Sequence, residues 1–149
     1  IGRATSRWFV IDTEQRRPSR PPRPIRDLDW PERPPALPHD FDDVPGPDHA
    51  EHEHTTTARY YDLDLNGHVN SMRYLTWALS TLPDAVLSEH QCTGLALQFR
   101  AEAILGTPIR ATAQTHSTGE GHTARHALHH AEDDHILATA RTRWVERAG

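Results

Sequence analysis

The chain contains no lysine: all 16 of its basic side chains are arginine, a pattern read here as coding bias and not as chemistry. Its single cysteine, Cys92, excludes an internal disulfide framework and fits a reducing cytoplasm. No apolar run approaches the ~18 residues that a membrane-spanning helix requires. No charged-then-apolar leader is visible either. These absences predict a soluble, cytoplasmic chain that does not enter a membrane. A basic surplus is also missing. The net charge is −5, which argues against nucleic-acid binding.

What is present suffices for one ordinary domain. The chain has 149 residues, 36% of them hydrophobic, with a mean hydropathy of −0.73. Ten of its twelve prolines fall between Pro18 and Pro47. Proline removes a backbone donor and fixes φ, so residues 18–50 are predicted as an extended linker with neither helix nor central strand. Trp30, Leu37 and Phe41 could pin that linker to a domain surface. Ahead of it, residues 1–17 contain Arg7-Trp8-Phe9-Val10-Ile11-Asp12, an aromatic and β-branched run that predicts a strand buried on both faces. The chain opens on Ile1 within this run, and the expectation is a piece of a longer protein.

Residues 51–149 carry the remaining pattern. Thr55-Thr56-Thr57-Ala58-Arg59-Tyr60-Tyr61 predicts a strand over 53–63. Residues 69–82 lack Gly and Pro. Val69, Met72, Leu75 or Thr76, Leu79 and Leu82 recur at helical spacing as one apolar face, and Pro83 stops the helix. A short second helix is expected over 84–90. Period two then sets in with Leu95, Leu97 and Phe99. Further strands are expected over 109–117, 122–132 and 136–145, with turns at Gly119-Glu120-Gly121 and Asp133-Asp134. Strand, helix, then four meandering antiparallel strands is an α+β domain. One long central helix wrapped by a curved antiparallel sheet is the hotdog arrangement.

The densest polar cluster, Asp62, Asp64, Asn66 and His68, lies between that first strand and the apolar helix. Free N–H groups at a helix start carry partial positive charge. They suit a thioester carbonyl that gains negative charge during attack. Gly67 permits close approach of a substrate, Asn66 can donate through its amide, and His68 can exchange a proton near neutral pH. Asp, Asn and Gly are equally ordinary turn residues and helix caps. Spacing alone leaves both readings open.

The stretch from Arg59 to Leu79 resembles the D-x-D-x-N-x-H-V-N-N-x-x-Y-x-x-W segment of acyl-ACP thioesterases. Asn66 and Trp77 distinguish it from the looser D-x-D-x-x-G-H-V-N form of other hotdog thioesterases. Leu95-Ala-Leu-Gln-Phe-Arg-Ala-Glu-Ala resembles the family's L-x-L-E-Y-R-R-E-C strand. The opening segment resembles the last strand of a first hotdog repeat followed by the interdomain linker. The resemblance implies a terminal strand over 1–17, a linker over 18–50 and a catalytic hotdog domain over 51–149. It also implies active-site positions at Asp64, Asn66, His68 and Glu102, with Gly67, Val69 and Asn70 at the substrate. No cofactor or metal is implied. In one family mechanism Glu102 activates water while Asn66 and His68 orient it and Asp64 holds the cluster. In the other a carboxylate, Asp64 foremost, attacks to form a mixed anhydride.

Three positions depart from the family pattern. Ala103 replaces the plant members' cysteine, so no cysteine mechanism can use that position. Ser71 replaces an asparagine and Gln98 a glutamate. Cys92 is expected as a buried, inert thiol on a core strand. The implied function is hydrolysis of fatty acyl-ACP, with the acyl carrier protein as partner. The implied pairing is hotdog with hotdog, either as a homodimer or with a missing N-terminal repeat. A single-hotdog acyl-CoA thioesterase and a non-catalytic acyl-binding module are the alternatives. The twelve histidines, His49, His52, His54, His122, His126, His129, His130 and His135 among them, are expected at the surface, because no H-E-x-x-H motif is present. Arg125, Arg141 and Arg143 are expected on solvated sheet surface.

Overall fold

The computed structural model describes residues 2–12, 14–15, 17–29, 34–37 and 43–147. Trp30 and Phe41 lie outside the described residues. The chain divides into two compact units, Ile1–Asp42 and Asp43–Gly149.

In the first unit, β1 (Val10–Asp12) pairs antiparallel with β2 (Arg17–Ser19). The Asp12 carboxylate accepts the N–H groups of Glu14 and Gln15 at 2.9 and 2.8 Å, which shapes the turn between them. The strand is shorter than its apolar run suggested. Trp8, Phe9 and Ile11 are exposed rather than buried on both faces. A four-residue helix, α1 (Arg23–Arg26), interrupts the linker that was expected to hold none. Pro24 is tolerated there because the first helical turn has no use for its missing N–H.

The second unit runs β3 (His52–Thr57), a 3-10 turn (Tyr60–Asp62), α2 (Ser71–Leu79), α3 (Asp84–Glu89), β4 (His90–Phe99), β5 (Pro108–Thr118), β6 (Gly121–His130) and β7 (Ile136–Glu146). All sheet pairings are antiparallel, in the order β3-β5-β6-β7-β4. Strands β5 to β7 meander as expected. Strand β4 does not join that meander but pairs with β7, Leu97 opposite Ala140. The predicted strand over 53–63 stops at Thr57, and the helix predicted over 69–82 is the nine-residue α2. At the β5–β6 turn Gly121 has a φ of 141°, and a Cβ there would come within 2.2 Å of the Trp144 carbonyl oxygen. Only glycine fits that position.

Helix α2 meets the sheet through Tyr74, Trp77 and Ala78; of the predicted face, Val69 and Leu82 are buried and Leu79 packs against the core, whereas Met72 is 62% exposed. The periodicity is real, and the buried stripe extends beyond the predicted one to take in two aromatics and an alanine. Beneath them lie Ala111 and Ala138, with Ile109, Leu128 and Leu137 filling the space between. Each large side chain buried this way contributes about 1.5–3 kcal/mol. The other face of the sheet is crossed by the chain entering the domain. Gln98 accepts the Val44 N–H at 2.9 Å, and Gln114 accepts the Asp48 N–H at 3.0 Å. Gly46 sits against Ala127, where a Cβ would already be 3.4 Å from the alanine methyl. The compact unit therefore starts at Asp43, ahead of the expected boundary at Glu51.

Two histidines expected at the surface are buried, His90 and His126. His126 links helix to sheet. Trp144 Nε1–H donates to Thr142 Oγ1 at 2.8 Å, and Thr142 Oγ1 lies 3.0 Å from His126 Nε2. Thr81 Oγ1, 3.4 Å from His126 Nδ1, donates its own proton to the Ala78 carbonyl at 2.6 Å. With both hydroxyl protons directed this way, the imidazole carries its proton on Nδ1 and stays neutral. Burial pushes its pKa down from 6.5 to about 4. Below pH 6.5 the unfolded chain takes up a proton that the folded chain refuses, so stability falls as pH drops towards 4. The expected loss is about 3 kcal/mol across that window. Denaturant midpoints at neutral and acid pH should show it, and His126→Gln should flatten the wild-type slope.

Candidate active site

The loop from Asp62 to Asn70 is closed by its own acidic residues. Asp64 Oδ1 accepts the N–H groups of Asn66 at 2.8 Å and His68 at 3.2 Å. The Asp64 carbonyl accepts the Gly67 N–H at 3.1 Å, and the Asp64 N–H donates to the His68 carbonyl at 2.7 Å. Closing so tight a loop requires a left-handed residue, and Gly67 supplies it with a φ of 78°. Asp62 fastens the loop to the helix. Its carbonyl accepts the Asn70 N–H at 2.7 Å, and its carboxylate takes Arg59 N–H at 2.8 Å and pairs with Arg73 Nε at 3.0 Å.

The exit of the loop is tied to the segment after β4. His68 bridges Ile104, and the Val69 N–H donates to the Ala103 carbonyl at 2.8 Å. This brings Glu102 alongside the loop: its Oε2 lies 3.6 Å from His68 Nε2. The His68 side chain is 42% exposed and that of Glu102 75%. Glu102 therefore stands beyond the end of β4, on an irregular stretch, rather than on the strand suggested by the motif. Asn66 is exposed on the same loop.

Helix α2 starts directly after this loop. Asn70 caps it, its side-chain oxygen accepting the Met72 N–H at 2.9 Å. Of the N–H groups of residues 64–73, only those of Leu65 and Ser71 have no acceptor among the described residues. The free donors expected at the helix tip thus reduce to Ser71. Val69, expected at the substrate, is a buried core residue, and the Asn70 side chain is committed to the cap. Cys92 is exposed on edge strand β4 rather than buried and lies 3.4 Å from the Gly94 carbonyl oxygen. Ala103 is fully enclosed.

Tyr74 escapes a reading of the sequence although it stands at the tyrosine of the quoted motif. Its hydroxyl accepts the Ala103 N–H at 2.9 Å and donates to the Ala101 carbonyl at 3.5 Å, bracketing Glu102 from both sides. Burial raises its phenol pKa, the Ala103 N–H opposes that shift, and the charge of Glu102 adds to it. Arg73, the partner of Asp62, escapes as well. Nothing in its spacing marks it, since the pairing depends on where the 3-10 turn places Asp62.

Comparison with known proteins agrees with this geometry. The acyl-ACP thioesterase C-terminal domain family matches residues 46–146. A chloroplastic palmitoyl-acyl carrier protein thioesterase from Cuphea hookeriana is 28% identical across 100% of this chain and 38% of its own length. A chloroplastic dodecanoyl-[acyl-carrier-protein] hydrolase from Umbellularia californica is 32% identical over 59% of this chain and 23% of its own. The chain thus spans well under half the length of these curated relatives. Among solved structures, the 12:0-ACP thioesterase from Umbellularia californica superposes with a TM-score of 0.76 at 25% identity, covering 92% of this chain and 52% of that one. A 1,4-dihydroxy-2-naphthoyl-CoA thioesterase from Synechocystis shares the fold, with a TM-score of 0.57 at 16% identity over 63% of this chain and 80% of its own. The fold is the hotdog, and the chain belongs to the acyl-ACP thioesterase family, whose C-terminal domain it carries.

Proposed function

We propose that this chain supplies the catalytic half of an enzyme that hydrolyses fatty acyl-ACP to free fatty acid and carrier protein, in the cytoplasm, ending chain growth. The observation that carries this reading is the approach of His68 Nε2 to Glu102 Oε2, 3.6 Å apart, on a loop that Asp64 holds shut. In the proposed reaction Glu102 takes a proton from water as that water attacks the thioester carbonyl. His68 orients the water and the carboxylate. The Asn66 amide and the free Ser71 N–H face the oxygen that becomes negative. Collapse of the tetrahedral intermediate expels the carrier thiolate, which takes up a proton.

One feature favours this general-base route over attack by Asp64. Asp64 Oδ1 accepts two backbone N–H groups and so holds the loop, a positioning role that requires no covalent step, while nucleophilic attack would fall to Oδ2. A side-chain amide at that position could still accept both bonds but could not form an anhydride. Asp64→Asn should therefore keep activity within about tenfold of wild type, and Glu102→Gln should lower kcat by about 10²–10⁴. Steady-state hydrolysis of a long-chain acyl-ACP measures both. Complete loss in Asp64→Asn with a folded protein would move the chemistry to Asp64. The same acyl chain presented on coenzyme A and on the carrier separates this reading from that of an acyl-CoA thioesterase. Acyl-thioester binding without turnover would leave a non-catalytic module.

Hotdog pairing is the second part of the proposal. Edge strand β4 exposes Leu95 and Phe99 on the helix-bearing side, each about half accessible. Open edges and apolar flanks of this kind invite a partner. Sedimentation of the isolated chain should show a dimer or larger species, and a lone monomer would contradict the pairing.

A further inference from the structure

Away from the active site, the turn between β6 and β7 gathers three metal-ligand atoms. His130 ends β6, and Asp133 and His135 lie in the turn itself. The backbone holds them in place: the His130 N–H donates to the His135 carbonyl at 3.0 Å, and the Asp134 N–H to the His130 carbonyl at 2.9 Å. Asp134 takes a φ of 62°, which lets the turn close. Asp133 Oδ1 then sits 2.6 Å from His135 Nδ1 and 3.2 Å from His130 Nδ1, and the three ligand atoms lie within 4.8 Å of one another. The two imidazole rings stack, with centroids 5.1 Å apart and planes inclined by 16°.

The electrostatics of this group are incomplete. His135 Nδ1 lies 2.6 Å from the Asp133 carboxylate oxygen and serves it with a hydrogen bond. His130 Nδ1 is buried and, although it faces the same oxygen, makes no hydrogen bond among the described residues. A buried ring nitrogen without a partner carries an uncompensated desolvation cost that a ligand could relieve. The neighbouring Arg110 and His129 do not compete for Asp133, because both pair with Asp134 instead. Two imidazoles and one carboxylate form a donor set suited to a zinc-type ion, with bonds of about 2.0–2.2 Å and a tetrahedral spread. Reaching that spread requires the Asp133–His135 contact to open by less than about 1 Å and one of the two stacked rings to turn, so that both Nδ1 lone pairs point at the ion.

We propose that the β6–β7 turn binds a divalent zinc-type metal ion through His130 Nδ1, Asp133 Oδ1 and His135 Nδ1, with water completing the tetrahedron. The ion would supply the partner that His130 Nδ1 lacks. It would also fasten the hairpin that positions the catalytic segment. The Leu137 carbonyl, just past His135, accepts the N–H groups of Arg100 at 2.8 Å and Ala101 at 3.1 Å, immediately before Glu102.

The test uses the full chain without a polyhistidine tag, titrated with Co²⁺ as a spectroscopic stand-in and with Zn²⁺ by calorimetry. The expected result is one equivalent bound more tightly than about 10 µM, with the intense visible bands of tetrahedral Co²⁺. Asp133→Asn and His135→Ala should each weaken binding at least tenfold, and His130→Gln should behave likewise. All three should keep the wild-type circular dichroism, since Asp133 and His135 are exposed and His130 lies at a strand end. The His52→Ala/His54→Ala variant, which removes a closely spaced pair on another strand, should bind as wild type does. Unchanged Co²⁺ spectra in the Asp133→Asn/His135→Ala double variant would overturn the proposal. So would a failure to saturate by about 1 mM metal.

Discussion

The candidate active site of this chain depends on a short backbone tie, the Val69 N–H to the Ala103 carbonyl beside the bridge between His68 and Ile104. It joins two stretches separated by the whole of α2, α3 and β4. The first is a loop folded by local acidic contacts and the second an irregular crossing from edge strand β4 to interior strand β5. Without that tie His68 and Glu102 would belong to different parts of the surface. Tyr74 reinforces it from below by accepting the N–H of the same Ala103. The helix thus supports the site through its buried aromatic face as well as through its N-terminal end.

Much of the fold is legible in the sequence because hydrophobic periodicity and turn chemistry are local. The β5, β6 and β7 spans, the Gly119-Glu120-Gly121 turn and the existence of α2 and α3 all follow from short-range pattern. What differs comes from tertiary choices. The buried stripe of α2 overlaps the predicted one at Val69, Leu79 and Leu82 but leaves Met72 out and adds Tyr74, Trp77 and Ala78, a choice made by the sheet packed against the helix and not by the helix's own periodicity. The position of β4 is not legible because nothing in a strand's own residues says which neighbour it will pair with. Cys92 goes with it: expected on a core strand, it lies on an edge.

The candidate site is legible in part. Asp64, Asn66, His68 and Glu102 are marked by motif resemblance, and the structure brings His68 to Glu102. The division of labour among them is not legible. A sequence shows two aspartates separated by a single leucine; the fold shows that one ties the helix to the loop through Arg73 while the other closes the loop on itself. The outer face of the sheet gives a similar lesson. Gln98 looks like the loss of a carboxylate, yet its amide both accepts from Val44 and donates to Asp43, which no carboxylate could do. Substitutions away from a family pattern can record a local packing demand rather than a change in chemistry.

The accessibility of Glu102 has a further consequence. A carboxylate three-quarters open to water keeps its hydration shell while the surface is bare, and any molecule settling over the loop would have to displace that shell. The cost of the displacement falls on the newcomer, which must replace the lost water with contacts of its own.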